Sequence, residues 1–350
     1  MTDNASDARK VCVIGAGSWG TAIAQHLAGA GHSVRLWAYE PEVAAAINER
    51  HENTRFLSGV ALNPGLTASA DMAQALDGAE MAALVMPTHV FRAVLTQAAP
   101  HLPERAVLVS CSKGIEQSTG YTMLEVAEEV LPKNFHRRLA CLSGPSFARE
   151  VAKGVPTAVT VASRSDEIAR YVQTAFATAR FRVYTSFDLA GVEIGGAVKN
   201  PLAIAAGMVA GLKLGHNTLA ALITRGLAEM TRLAMARGAQ MATLAGLAGL
   251  GDLVLTCTSP QSRNYLVGQR LGLGEKIGAI TASLAGAVAE GVHNTRTVLE
   301  LAKSSGVEMP IIAAVHAVIY EDQPPHQALD ALMTRSLKSE LPFPSAIARD

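Results

Sequence analysis

Residues 10–30 read KVCVIGAGSWGTAIAQHLAGA: a β-branched run enters a glycine-rich turn and leaves it as an alanine-rich helix. Gly15, Gly17 and Gly20 stand in GxGxxG spacing. The first glycine permits a tight turn, the second lets the backbone approach a pyrophosphate, and the third lets the helix lie against the strand. The helix N-terminus then offers N–H groups and the positive end of its dipole to phosphate oxygens. GxGxxG alone is a weak signal, but strand, turn and helix in that order predict a Rossmann-type dinucleotide-binding domain using NAD or NADP. In such domains an acidic residue about 20 positions further on holds the adenosine ribose, and Glu40 has that spacing. The same Glu-Pro pair, ahead of EVAAAIN (42–48), reads equally well as the start of the next helix. Arg35 lies within the second strand, facing either solvent or a 2′-phosphate.

Outward from this turn, β-branched runs alternate with helical stretches. KVCVIG (10–15), SVRLWA (33–38), MAALVM (81–86), AVLVSCS (106–112), RLACLSG (138–144), PTAVTVAS (156–163) and FRVY (181–184) read as strands. That rhythm predicts a parallel sheet with helices on both faces. From Leu189 on, the strand signals stop, and VEIGGAVKNPLAIAAGMVAGL (192–212), TLAALITRGLAEMTRLAMARG (218–238) and NTRTVLELAKSSG (294–306) read as helices. In the second of these, Leu227, Met230, Leu233 and Ala234 form one stripe, with Arg225, Glu229 and Arg232 facing elsewhere. The expected architecture is an α/β Rossmann-type dinucleotide-binding domain over 1–188 followed by an all-α C-terminal domain over 189–350. The tail, LPFPSAIARD (341–350), reads as a loose terminus.

Hydrophobic residues make up 49% of the 350 and charged residues 17%, enough apolar surface for large cores. Thirty basic side chains balance thirty acidic ones, so the broad cationic field of a nucleic-acid or membrane-surface binder is not expected. A phosphorylated small-molecule substrate would have to be held by a few local cations and backbone amides. Cys12, Cys111, Cys141 and Cys257 form no CxxC pair and read as reduced, buried thiols of a cytoplasmic protein; no metal site is expected. The N-terminus lacks the apolar stretch of a secretory signal. The longest apolar tract, 194–212, is interrupted by Lys199 and reads as a buried core helix rather than a membrane span. Its alanine and glycine content suggests apolar surface for a homodimer.

Three segments place polar groups in small or apolar surroundings. SKGIE (112–116) follows a strand end, where open α/β sheets bind ligands; Lys113 there is a ligand contact or a solvated loop lysine. SGPSFAREVAKGVPT (143–157) joins a strand end to a helix start, so amides near Ser146 could meet a phosphate, or Ser146 could be an N-cap. In VEIGGAVKNPLAIAAG, Lys199 sits among Gly195, Gly196, Ala197 and Val198, where desolvation would lower its pKa toward proton transfer, unless it snorkels to the surface. Glu193 and Gly196 lie on nearly the same helical face as Lys199 and Asn200. The glycines there would give a flat ligand room to approach.

The blocks GAGSWGTAIA (15–24), ENTRFLSGV (52–60), SKGIEQSTG (112–120) and LSGPSFAREVAKGVPTAV (142–159) stand in order. They are followed by FRVYTSFDLAGVEIGGAVKN (181–200), LITRGLAEMTRLA (222–234), GLAGLGDLVLTCTSPQSRN (246–264) and AEGVHNT (289–295). With them, the chain resembles the bacterial NAD(P)-dependent glycerol-3-phosphate dehydrogenases over nearly its whole length. That resemblance implies interconversion of dihydroxyacetone phosphate and sn-glycerol 3-phosphate, a supply of glycerol 3-phosphate for phospholipids. It implies Lys199 as proton donor and acceptor with Asn200 beside it, and Lys113 as a contact to nucleotide and substrate. It places Gly144, Ser146, Asp252, Ser262, Arg263 and Asn264 at the substrate. Ser18, Trp19, Tyr39, Ala148, Val288 and Glu290, with Arg263, are implied at the cofactor.

The chemistry agrees: hydride arriving at a C2 carbonyl leaves an alkoxide that needs a proton, which Lys199 can deliver. Lys113, Asn200 and Asp252 could orient the carbonyl and that lysine, and Arg263 offers a planar fork to phosphate. Some positions depart from the family's pattern. Tyr39 stands where Arg or His is common, Pro201 follows the catalytic KN and should kink its helix, and Ala210 and His216 replace frequent acidic residues. SRNYLVG lacks the usual arginine pair after SRN. The alternatives are a hydroxy-acid dehydrogenase of the same two-domain plan and a non-catalytic dinucleotide-binding regulator. Retention of both Lys113 and Lys199 speaks against the regulator.

Overall fold

A computed structural model describes residues 8–283, 289–337 and 339–340. Among these, eight strands form one sheet: β1 (Lys10–Ile14), β2 (Ser33–Trp37), β3 (Thr67–Ser69), β4 (Met81–Leu84), β5 (Val107–Ser110), β6 (Leu139–Ser143), β7 (Thr157–Ala162) and β8 (Phe181–Ser186). Helices α1 (Ser18–Gly29), α2 (Pro41–Arg50), α3 (Met72–Leu76), α4 (Thr88–Ala98), α5 (Met123–Val130), α6 (Ala148–Ala152) and α7 (Asp166–Phe176) lie between strands. After β8 the described chain is helical. It runs through α8 (Leu189–Gly211), α9 (Gly215–Ala236), α10 (Met241–Leu244), α11 (Asp252–Thr258) and α12 (Arg263–Gly272). It continues through α13 (Ile277–Ser283), α14 (Glu290–Ser304), α15 (Pro310–Tyr320) and α16 (Pro325–Met333).

The strand order is β3-β2-β1-β4-β5-β6-β7-β8. Because β1 pairs with β2 on one side and β4 on the other, the chain reverses its direction of travel across the sheet at the carboxyl ends of β1 and β4. A crevice opens at such a switch point. The central strands are continuous apolar runs because both faces are covered. Val11 and Val13 pack in one core with Ile23 and Leu27 of α1, while Cys12 and Ile14 pack in another with Leu76, Phe91 and Leu95.

The sheet departs from the all-parallel expectation at one place: β6 and β7 are antiparallel, with Leu142 opposite Val161. The intervening α6 spans five residues and rests on α1 rather than crossing the sheet, so the chain returns directly. Strand β3, absent from the sequence reading, is a three-residue edge whose Ala68 backbone is held by the Asn48 amide. The reading of 341–350 falls outside the described residues.

In the helical part, α8 is the core element, buried along most of its length and continuing through Pro201 to Gly211. It crosses α12 closely because both helices present glycine. A Cβ on Gly272 would stand 2.6 Å from the Met208 carbonyl oxygen and 3.0 Å from the Gly211 Cα. At the other end of the crossing, Asn264 at the start of α12 meets Asn200 in the middle of α8. On α9, Met230, Leu233 and Ala234 are buried as expected, but Glu229 does not face outward. It is 3% exposed and accepts the Ile311 and Ile312 amides at the start of α15, an anion at a helix N-terminus. The segment Met241–Thr258, long and apolar enough by composition to cross a membrane, is divided among α10, a π turn (Leu247–Gly251) and α11.

Candidate active site

The Gly-rich turn forms one wall of a cleft of about 630 Å³. At its base Gly15 takes φ +114°, a backbone conformation that side chains disfavour, and its N–H donates to the Trp37 carbonyl. Gly17, the N-cap of α1, has no side chain to satisfy the first-turn amides. Those amides fit a diphosphate. Ser18 and Trp19 line the cleft. The Ser18 hydroxyl donates to the Phe56 carbonyl at 2.5 Å, and the Trp19 indole nitrogen is buried without a partner. A glycine cradle with an orphaned donor suits a dinucleotide.

The opposite wall comes from α8, α11 and α12. Lys199 is buried, and its ammonium donates to Asp252 Oδ1 at 2.5 Å and to the Thr256 hydroxyl at 3.0 Å. Lys113, from the loop after β5, donates to Asp252 Oδ2 at 2.7 Å and to the Gly144 carbonyl at 3.2 Å. One carboxylate, 1% exposed, thus holds two lysines. Burial pushes Lys199 down, Asp252 pulls it back up and Lys113 lowers it, leaving it at about 8. Burial would raise the Asp252 carboxyl, but Lys113 and Lys199 hold it below its usual range. The Lys199 ammonium is therefore poised to give up its proton near neutrality. Snorkelling is ruled out by its burial, and Lys113 is not a solvated loop residue.

Around this pair, the Asn264 amide donates to Asn200 Oδ1 at 3.0 Å and accepts the Gly291 amide. Ser262 caps α12 by accepting the Tyr265 amide, and Ser262, Arg263 and Asn264 all line the cleft. Ser146 and Ala148 line it too. Ser146 is not an N-cap, a position taken by Phe147; its hydroxyl donates to the Gly144 carbonyl at 2.9 Å. Glu290 lies on the cleft, its carboxyl raised to about 7 by burial against the pull of Arg263, Lys199 and Lys113.

Other expectations are redirected. Gly195 and Gly196 make room for protein rather than ligand: their Cβ positions fall 2.6 Å from the Ala248 carbonyl oxygen and 3.4 Å from the Lys113 side chain. Glu193 turns away from Lys199 to accept the Leu124 amide at 2.9 Å. Arg35 is tied to the carbonyls of Gln74 and Asp77, away from the cleft. Tyr39 is 78% exposed and outside the cleft lining. Val288 lies outside the described residues. Thr256, which the sequence reading missed, sits four residues after Asp252 on α11, a spacing that stacks side chains on one helix face. Phe56 and Arg149 also line the cleft unforeseen.

The same two-part chain matches two family models: the NAD-dependent glycerol-3-phosphate dehydrogenase N-terminus over 10–169 and C-terminus over 188–330. The chain belongs to the NAD-dependent glycerol-3-phosphate dehydrogenase family. A Geobacter protein named glycerol-3-phosphate dehydrogenase [NAD(P)+] is 54% identical over 333 residues, 95% of this chain and 99% of that one. A namesake from Anaeromyxobacter dehalogenans is 54% identical over 332 residues, 95% of this chain and 100% of its own. The crystal structure of glycerol-3-phosphate dehydrogenase from Coxiella burnetii superposes with a TM-score of 0.88 at 40% identity, covering 94% of this chain and 99% of that one.

Proposed function

We propose that Lys199 carries the proton in the reaction that family membership assigns to this chain, the NAD(P)-dependent interconversion of dihydroxyacetone phosphate and sn-glycerol 3-phosphate. The product feeds glycerophospholipid synthesis. The observation that carries this reading is the shared carboxylate: Asp252 fixes Lys199 and Lys113 side by side across the cleft from the Gly15–Gly20 turn. The bound nicotinamide supplies or accepts the hydride at C2. Lys199 gives its proton to the developing C2 alkoxide in reduction and takes it back in oxidation. Lys113, with Asn200, holds the carbonyl oxygen, and its positive charge favours negative charge building there. Arg263, with Ser262 and Asn264 beside it, takes the substrate phosphate through its planar fork.

Gly144 and Ser146 shape the substrate end, while Gly17, Ser18, Trp19, Gly20, Ala148 and Glu290 face the nucleotide. The division at 188/189 falls between the end of β8 at Ser186 and the start of α8 at Leu189, and the site draws on both parts, Lys113 and Ser146 from the first and Lys199, Arg263 and Glu290 from the second. Cytoplasmic placement fits the four buried, unpaired cysteines. Self-association as a homodimer would cover Phe187 and Met241, 65% and 61% exposed, which flank the contact between Asp188 and the Gln240 amide.

The test is steady-state reduction of dihydroxyacetone phosphate with NADH and NADPH, comparing the parent with Lys199→Ala. The variant should lose kcat by at least ~10²-fold, the scale for a positioned acid–base group, while dinucleotide affinity moves little. Near-normal kcat in the variant would remove Lys199 from the role.

A further inference from the structure

Arg35, the strand cation that could have met a 2′-phosphate, is turned to the far side of β2, and Tyr39 carries no charge. A different cation lies beside Glu40, the residue whose spacing after the glycine turn suits the ribose. Arg55 Nη1 lies 3.5 Å from Glu40 Oε1 and 3.2 Å from Glu42 Oε1, and its guanidinium lies over the Phe56 ring at 5.0 Å. The backbone beneath it is fixed to the cofactor turn. Asn53, fully buried, donates to the Ala16 carbonyl at 2.8 Å and accepts the Phe56 amide at 3.0 Å, while the Phe56 carbonyl takes the Ser18 hydroxyl. The Arg55 side chain is half exposed, so it can swing while its anchor stays put.

We propose that Arg55 sets the choice between NAD and NADP, a refinement that rests on the dehydrogenase reading above. With NAD, Arg55 stays on Glu42 and Glu40, and the Glu40 carboxylate accepts from the ribose hydroxyls. With NADP, the guanidinium leaves the two carboxylates and takes the 2′-phosphate through its paired donors. Two carboxylates facing one guanidinium repel a phosphate dianion, so both cofactors bind and NAD is preferred. Glu40 and Arg55 thus compete for the same ligand position with opposite preferences.

The experiment measures calorimetric Kd values for adenosine 2′,5′-bisphosphate and AMP, alongside kcat/KM with NADPH and NADH. The proteins are the parent, Arg55→Ala, Glu40→Gln and the double variant. Arg55→Ala should weaken adenosine 2′,5′-bisphosphate relative to AMP by about tenfold, the low end for a charged hydrogen-bonded pair, and lower the NADPH/NADH ratio alike. Glu40→Gln should raise that ratio, and the rise should be several-fold smaller in the double variant, where no guanidinium is freed. Parallel losses for both fragments in Arg55→Ala, or a Glu40→Gln gain that is undiminished without Arg55, would overturn the assignment. A parent that binds both fragments yet reduces no dihydroxyacetone phosphate would refute the dehydrogenase reading and leave the Arg55 test intact.

Discussion

Replacing Asp252 by asparagine should move the pH dependence of the reaction, because this carboxylate offsets the burial of Lys199. Its two oxygens lie 2.5 Å from Lys199 and 2.7 Å from Lys113, and with it in place Lys199 sits at about 8. With Lys199 as the proposed proton donor, reduction needs the ammonium form, so it should be supported below about 8 and lost as pH rises through that value. Oxidation needs the free amine and gains over the same range. At an effective dielectric of about 20, a unit charge pair ~4 Å apart is worth about 4 kcal/mol, or roughly 3 pKa units. Loss of the charge removes up to that much support and leaves Lys113 unopposed, while the asparagine oxygen still accepts a hydrogen bond. An acid shift of about 1–3 units follows. At pH 7.5 the protonated fraction of Lys199 then falls from about three quarters to about a quarter or less. The assay is the pH profile of kcat/KM for dihydroxyacetone phosphate, which reports the free enzyme, with thermal unfolding in parallel to show that the variant is folded. A folded Asp252→Asn enzyme whose basic limb stays near that of the parent would mean that Lys199 is not the titrating acid or that Asp252 does not support it.

Gly195→Ala would place a Cβ 2.6 Å from the Ala248 carbonyl oxygen and push α8 away from the turn that leads into Asp252. It should cost about 1–3 kcal/mol of stability and about 10- to 100-fold in kcat; unchanged kinetics would show that the turn tolerates the displacement. Burial pushes the Glu229 carboxyl up to about 7, against the Ile311 and Ile312 amides and the arginines at 232 and 225. A folded pKa above the unfolded one gives stability that is full below the unfolded value of about 4.3 and is lost as pH rises through the folded value. The Tm of Glu229→Gln relative to the parent should therefore climb between pH 5 and pH 8, and a pH-independent difference would contradict that sign.

The sequence by itself determined what is local. The turn at Gly15–Gly20 is written in three glycines between a strand run and a helix, and its backbone follows from their conformational freedom. The central strands are legible as continuous apolar runs, and α8 is legible as an apolar tract too long for a strand. The family blocks singled out Lys113, Lys199, Asp252 and Arg263, the side chains that the proposed proton transfer and phosphate binding would use. Only the tertiary structure decided which groups meet. Asp252 serves two lysines that lie 139 and 53 residues away in sequence, a partnership no local pattern encodes. Glu229 lies on a helix face that periodicity reads as polar, yet the amides of α15 make its burial tolerable. Gly195 and Gly196 serve the approach of the Ala248 backbone and the Lys113 stem, and the antiparallel turn of β7 follows from α6 resting on α1. Arg35, in the middle of β2, and Arg55, after α2, are both arginines of the same domain, and packing alone tied one to the Gln74 and Asp77 carbonyls and the other to Glu40 and Glu42. Local preferences act over a few residues, whereas pairing and burial depend on neighbours supplied by distant parts of the chain.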